Sequence, residues 1–355
     1  MNEDFFPTAR QTVVITGGNQ GLGYACAETL ANADQNWCVV IAGHDRDHIA
    51  AAAEKLRQTS RAQVEPMLLN LASLRSIRYF SENLSEKLRD GCIPPLRALV
   101  CNAGVHPASG IAYTADGFEQ TFAVNHLGHF LLVNLLLCQM TPPGRIVIVG
   151  GGTLNPLNAG RIFNPGRGFE ARRLARPESP GGWHLSGSHR YRTSKFCNLL
   201  FACELNRRLA EAPAGTGLSG IAVNVFDPSV TPGTGLTRSW SGLPQRLWQS
   251  KTLHSVARCL GAKIFTVGNS GRAMAGLILK PELQGVSGKY FQVLNERPPW
   301  DMACNPALAK KLWEDSAELA GWNRKPADLF VDTPALLRME PIPFNTVSRA
   351  NSSPA

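Results

Sequence analysis

The 355 residues carry 36 Lys and Arg against 27 Asp and Glu, a net charge of +9, with 44% hydrophobic and 18% charged residues. That apolar content supplies a real core and excludes wholesale disorder. The positive balance fits a membrane surface or anionic small molecules such as a dinucleotide phosphate; with no run of five consecutive basic residues and no basic helix interleaved with aromatics, it does not point to nucleic acid.

Apolar runs of strand length alternate with helical patterns along the chain. Thr12 to Thr16 opens the series, Trp37 to Ala42 is a second buried strand, and Met67 to Leu69 a short third. Leu96 to Cys101, Arg145 to Val149, Ser219 to Phe226 and Lys289 to Val293 follow. Continuous apolar strands of this kind are covered on both faces. Between them Ile77, Phe80, Leu84 and Leu88 recur at helical spacing, a long apolar helix runs from about Gly117 to Met140, and another starts near Tyr191. The alternation predicts βαβ units, hence an α/β fold with a doubly wound parallel sheet of Rossmann type. A single domain is expected over 8–325. Residues 154–190, rich in Gly, Pro, Ser and Arg, form an insert that is either a functional loop or locally mobile, and 326–355 read as a tail without its own core.

Nine scattered cysteines without a Cys-x-x-Cys pair argue for free thiols in a reducing, cytoplasmic setting, with neither disulfide framework nor zinc site. No stretch approaches 18 uninterrupted apolar residues and the N-terminus has no signal-peptide pattern, so no stable membrane anchor is expected.

The first strand runs into Thr16-Gly17-Gly18-Asn19-Gln20-Gly21-Leu22-Gly23. A glycine turn between strand and helix lets backbone approach a pyrophosphate, and the helix N-terminus offers N–H groups and a partial positive charge. Glycines also mark ordinary turns; the position after the first strand is what favours the nucleotide. At the end of the second strand stand His44, Asp45 and Arg46 rather than an acid at the tip. NADP(H) is therefore expected, with NAD(H) the alternative because Asp45 lies close by.

Tyr191 and Lys195 are four residues apart, so on a helix they share one face. An adjacent ammonium favours phenolate and would lower the tyrosine pKa, suiting the phenol to exchange a proton with a carbonyl oxygen as hydride arrives at carbon. Chance produces this spacing in many helices. Here it is accompanied by Asn102-Ala103-Gly104 after the fourth strand and by Asn125 in the long helix.

With these motifs in place the chain resembles a short-chain dehydrogenase/reductase from about Thr12 to Leu319. The resemblance implies that Gly17, Asn19, Gln20, Gly21, Leu22 and Gly23 cradle the cofactor, and that Asn102, Ala103 and Gly104 steady the sheet beside its adenosine half. It further implies that Asn125 holds a water in a proton relay and that Tyr191 and Lys195 are the catalytic pair. Asn125 to Phe130, Lys195 to Asn198, Gly288 to Phe291 and Leu312 to Ser316 resemble the branch of retinol dehydrogenases, WW-domain oxidoreductases and light-dependent protochlorophyllide reductases.

The sequence departs from the family in three places. Gly150-Gly151-Gly152-Thr153 stands where the family has a catalytic Ser or Thr, leaving Thr153 as the candidate hydroxyl. The usual Pro-Gly after the sixth strand is Asp227-Pro228-Ser229-Val230; Pro228, Val230 and Thr234 are expected at the cofactor, Thr234 at the nicotinamide carboxamide. Asn70, followed by Leu71, replaces an Asp at the adenine. The insert's Arg161, Arg167, Arg172, Arg173 and Arg176 could form a lid for an anionic substrate or a solvated basic loop, and Trp183 could cover a flat substrate or anchor the loop. His126 and His129 lack a third metal ligand and are expected to be structural. Phe122, Leu127, Phe130 and Leu131 could form a homodimer seam or simply core.

The expected activity is hydride transfer between NADP(H) and a lipophilic carbonyl or alcohol, a small-molecule substrate. Reduction of a conjugated or ring C=C bond, and a non-catalytic dinucleotide sensor or scaffold, are the alternatives.

Overall fold

The computed structural model describes residues 10–33, 36–107, 110–151, 170–178, 185–213, 215–233, 264–293, 295–298 and 305–322. Thr153, Trp183, Thr234, Arg161, Arg167 and the 326–355 segment lie outside the described residues.

Eight strands form one sheet: β1 (Gln11–Thr16), β2 (Trp37–Gly43), β3 (Gln63–Leu68), β4 (Leu96–Cys101), β5 (Met140–Val149), β6 (Ile221–Asp227), β7 (Tyr290–Gln292) and β8 (Asn295–Arg297). Their order is β3-β2-β1-β4-β5-β6-β7-β8, parallel throughout except for the β7–β8 pair. Every residue of β2 is buried, as a strand covered on both faces requires. The sequence pattern misses β8, whose three residues are all exposed and carry no apolar signal. It also begins β5 too late, because Thr141-Pro142-Pro143-Gly144 reads as a turn yet belongs to the N-terminal half of this interior strand.

Helices cover the two faces. On one lie α1 (Gly21–Ala33), α2 (Arg46–Thr59) and a later helix over Val267–Leu279, packed on a cluster that includes Val13, Ile15, Val39, Ile41 and Phe226. On the other lie α3 (Leu74–Arg89), α4 (Gln120–Gln139) and the helix Gly187–Ala210, over Val14, Val40, Leu99, Ile146 and Ile148. In chain order the remaining α-helices among the described residues are α5 (Ala171–Ala175), α6 (Gly187–Ala210), α7 (Val267–Leu279) and α8 (Pro306–Leu319). Alternate strand side chains feed alternate faces, so each face has its own core.

α4 is long and apolar enough to cross a bilayer, but 89% of its apolar window is buried inside this fold. It is a core helix. The last described helix packs against its outer side: Trp313 of α8 meets Phe130 at 5.0 Å and Phe201 at 5.7 Å between ring centroids. Phe122, Leu127, Phe130 and Leu131 are accordingly all buried. The seam open to a second copy in the sequence reading is filled from within the chain.

The insert also changes character. Its described part contains α5, and its last residues already belong to α6. Arg172 pairs with Glu318 and lies 3.9 Å from Asp315 of α8, and Arg173 pairs with Glu170 at 2.9 Å. Arg176 stands over the Phe118 ring at 5.4 Å. Arg172 and Arg176 thus tie α5 to the body while Arg173 pairs locally at the start of α5, so all three arginines already have partners, which corrects the anion-recognising lid as far as they are concerned.

Candidate active site

The strand order reverses between β1 and β4, and in such sheets ligands bind in the crevice beyond the carboxyl ends of the strands at that point. Asn102 straps the two strand ends together, its Nδ2 donating to the Thr16 carbonyl at 2.8 Å. The Thr16 hydroxyl oxygen accepts the backbone N–H groups of Asn102 (2.9 Å) and Ala103 (3.0 Å). His129 Nδ1 lies 3.1 Å from the Asn125 carbonyl and so must donate to it, leaving Nε2 to accept from the Thr16 hydroxyl at 2.9 Å. Burial pulls His129 down to about 4, which keeps the ring neutral and permits that tautomer. His126, likewise pulled down to about 3 by burial, meets Ser316 Oγ of α8 at 2.9 Å. Both histidines have structural partners.

The glycine turn fits a dinucleotide. Gly17 and Gly21 have φ of +65° and +53°, which β-carbon-bearing residues rarely adopt. A Cβ on Gly23 would lie 2.3 Å from the Gly17 carbonyl oxygen, so only glycine lets α1 start this close to the turn. The first turn of α1 has no acidic residue, so its N-terminal charge is available to an anion. Leu22 is buried, and Asn19 and Gln20 are half-buried on the turn. At the tip of β2, His44 and Arg46 are exposed. Asp45 caps α2, accepting from the Asp47 N–H at 3.1 Å and the His48 N–H at 3.0 Å. Asn70 is exposed beyond β3 with its Oδ1 taken by the Ala72 N–H at 3.0 Å, while Leu71 is buried beneath α4.

Across the crevice, one turn of α6 presents Tyr191 and Lys195. Lys195 is 3% exposed, and its Nζ donates to the Val149 carbonyl at 3.0 Å while standing 5.8 Å from the Tyr191 ring centroid. Asn198 donates to the same carbonyl at 3.2 Å. Asn125 is locked opposite: its Oδ1 accepts the Val105 N–H at 2.8 Å, and its Nδ2 donates to the Val105 carbonyl at 3.0 Å and to Ser194 Oγ at 2.9 Å. Asn125 lies in a π turn, Ala123–Leu127, within α4; such turns re-aim side chains and recur at functional sites. A Cβ on Gly104 would stand 3.2 Å from Asn125 Oδ1 and 3.7 Å from Lys195 Nζ, so Gly104, Asn125 and Lys195 converge. Gly150 has no room for a side chain, since its Cβ would meet Val225 Cγ1 at 2.8 Å. Beyond the end of β6, Pro228 is half-buried and Val230 is 45% exposed, its carbonyl accepting the Phe265 N–H at 3.0 Å.

The electrostatics differ from the sequence expectation. Burial, and then the Asp227 carboxylate, push the Tyr191 phenol above its ordinary value. Burial pulls Lys195 down to about 8 against the opposing effect of Asp227 and then Cys101. In the protein alone desolvation outweighs the neighbouring ammonium, so the phenol keeps its proton.

Two residues escaped the sequence reading. His106 packs on Tyr191, ring centroids 4.5 Å apart, and burial lowers its pKa; its only sequence signal was its place just after Asn102-Ala103-Gly104-Val105. Arg190, adjacent to Tyr191, forms a buried ion pair with Glu119 at 3.0 Å and also reaches the carbonyls of Leu185 and Gly110. Glu119 in turn caps α4 by accepting the Phe122 N–H at 2.7 Å.

Comparison with known proteins agrees with this fold. The short chain dehydrogenase family model matches residues 11–156. A WW domain-containing oxidoreductase of Danio rerio is 33% identical over 313 residues, spanning 87% of this chain and 68% of the relative. The chain belongs to the short-chain dehydrogenase/reductase family. It is an NAD(P)-dependent oxidoreductase of that family's doubly wound fold. Protochlorophyllide reductase A of Oryza sativa subsp. japonica is 34% identical, over 88% of this chain and 82% of that protein. Human retinol dehydrogenase 13 is 33% identical, over 88% and 85%. Among solved structures, the angucycline C-6 ketoreductase LanV with bound NADP superposes with a TM-score of 0.56 at 21% identity, covering 80% of this chain and 96% of that one.

Proposed function

We propose that this short-chain dehydrogenase/reductase is a cytoplasmic NADPH-dependent reductase of lipophilic carbonyl compounds, its catalytic domain spanning 8–325. The observation that carries the proposal is the single turn of α6 holding Tyr191 beside Lys195, at the crevice above the glycine turn. Bound NADPH would supply hydride to the carbonyl carbon. Gly17, Asn19, Gln20, Gly21, Leu22 and Gly23 would hold its pyrophosphate; Asn102, Ala103, Gly104, Asn70 and Leu71 would line the adenosine half, and Pro228, Val230 and Thr234 the nicotinamide end. His44 and Arg46 favour a 2′-phosphate, and Asp45, whose carboxylate is spent on the α2 cap, does not oppose it.

Tyr191 holds its proton across neutral pH and would deliver it to the substrate oxygen, which favours the reductive direction. Lys195 sits at the carboxyl end of β5, where it orients the phenol and can reach the ribose. Asn125, fixed by Val105 and Ser194, leads the relay away from the site. His106 forms a wall beside Tyr191, and Thr153 remains the candidate hydroxyl for the substrate oxygen. The names of the relatives, retinol dehydrogenase among them, support a lipophilic substrate.

Consumption of NADPH with a panel of apolar aldehydes and ketones, followed with product analysis, tests the proposal. Tyr191→Phe should lower kcat by about 10²–10⁴-fold with little change in cofactor affinity. Full turnover by that variant, or products reduced only at C=C, would reject it.

A further inference from the structure

We infer that Asp227, clamped at the tip of β6, is the counter-charge of the Lys195 ammonium and a positioning residue for the Tyr191–Lys195 pair; this rests on the catalytic role proposed above for that pair. The carboxylate is 1% exposed and fully engaged. Its Oδ1 accepts the Ser229 N–H at 2.8 Å, and its Oδ2 accepts the Tyr290 hydroxyl at 2.7 Å, with Gln292 Nε2 at 3.5 Å. Ser229 takes a positive φ of 57° immediately after it, a conformation L-residues rarely adopt, and its N–H closes the loop back onto the carboxylate.

The strand register brings the two charges to the same edge of the sheet. Val149, whose carbonyl holds Lys195 Nζ, pairs with Phe226 across β5 and β6, and Asp227 is the next residue along. A buried ammonium is costly without an opposite charge nearby. The other groups around Lys195 cannot supply one. Cys101 of β4 is a buried thiol pushed well above its ordinary value, hence neutral, and His129 of α4 is a neutral ring. Tyr191 on α6 keeps its proton, and Val149 offers only a carbonyl dipole. Around Asp227 the ionisable groups are Tyr290 of β7, held protonated by burial and by Asp227 itself, with Tyr191 and Lys195 of α6. His106, next to Tyr191, is kept neutral by burial, and Arg192 opposes its protonation. Asp227 is thus the anion acting on both members of the pair among the described residues.

The consequence is a charge state. Without the carboxylate, burial acts on Lys195 with its largest opposing charge removed, and the ammonium loses its proton at lower pH. Two readouts test this. The first uses the protein alone: competitive labelling of Lys195 by acetic anhydride across pH, read by peptide mass spectrometry, should give a midpoint near 8 in the native protein. In Asp227→Asn that midpoint should fall by about one unit, and Asp227→Glu should restore it. The second is the alkaline limb of kcat/KM, which should move in parallel. Tyr290→Phe, which loosens the clamp and keeps the charge, should shift both by less. An unmoved midpoint in folded Asp227→Asn overturns the inference. Should Asp227→Asn not fold, Asp227→Ser, which also removes the charge, replaces it: an unmoved midpoint there overturns the inference, and a lowered one supports it. A Tyr191→Phe variant with full turnover would instead reject the catalytic proposal and leave the labelling result standing, so the two failures are distinguishable.

Discussion

A methyl group on Gly23 would lie 2.3 Å from the Gly17 carbonyl oxygen and 2.5 Å from Asn102 Nδ2, the atom that straps β1 to β4. Both neighbours are fixed, one by the turn and the other by its bond to Thr16. Gly23→Ala should therefore push α1 off the turn, at a cost of about 1–3 kcal/mol in stability. The same displacement should weaken NADPH binding by about tenfold or more, measured by titration of cofactor fluorescence. An unchanged affinity would mean that the pyrophosphate does not use this turn. Gly23 was legible in sequence because a close approach at that place in a βα unit demands glycine. Tyr191 and Lys195 were legible through helical spacing, which puts residues four apart on one face, whereas Asn125 was legible only through its resemblance to the family's helix asparagine. The direction of the Tyr191 shift was not legible, since it depends on how much water the folded chain removes and on a carboxylate 36 positions away in sequence.

At the scale of elements, α4 combines buried histidines with a π turn. His126 and His129 are both neutral in the fold, pulled down to about 3 and about 4. In the unfolded chain each would take a proton below about 6.5. The unfolded state thus binds more protons between those limits, and stability must fall as pH drops from about 6.5 towards 4. Thermal unfolding across that window should show the loss, and His129→Gln, which cannot titrate, should flatten part of it. The ion pair Glu119–Arg190 links the start of α4 to the start of α6, so two elements that carry Asn125 and Tyr191 share one buried anchor. Removing one partner, as in Glu119→Gln, should cost about 3–5 kcal/mol by leaving Arg190 charged and unpaired, readable by denaturant titration. Helical periodicity foresaw α4 and α6 but not this anchor. Glu119 reads as an ordinary N-terminal acid, and Arg190 as the end of an irregular insert.

For the whole molecule, the decisive feature is α8, which lies over α4 and α6 and fills the face where two copies could have met. Phe130, Phe201 and Trp313 form the contact, with Arg208 standing over the Trp313 ring at 4.2 Å. The protein should therefore behave as a monomer near 38.5 kDa in light scattering after size exclusion. Trp313→Ala should cost about 3–5 kcal/mol and expose the apolar face, so that association appears with concentration. A stable dimer of the native chain would place the contact on some other surface.

The alternation of buried strands with helical patterns, the glycine turn and the four-residue spacing of Tyr191 and Lys195 are local, periodic signals, and through them the sequence by itself determined the fold class and pointed to the proposed nucleotide end and catalytic helix. What surrounds that helix was decided only by tertiary structure. Asp227, Tyr290, His106 and the covering helix α8 reach the site or its supports from distant parts of the chain, with no spacing rule to announce them. Periodicity reports which face of an element is buried; which partner buries it, and what that burial does to a charge, is a property of the assembled molecule.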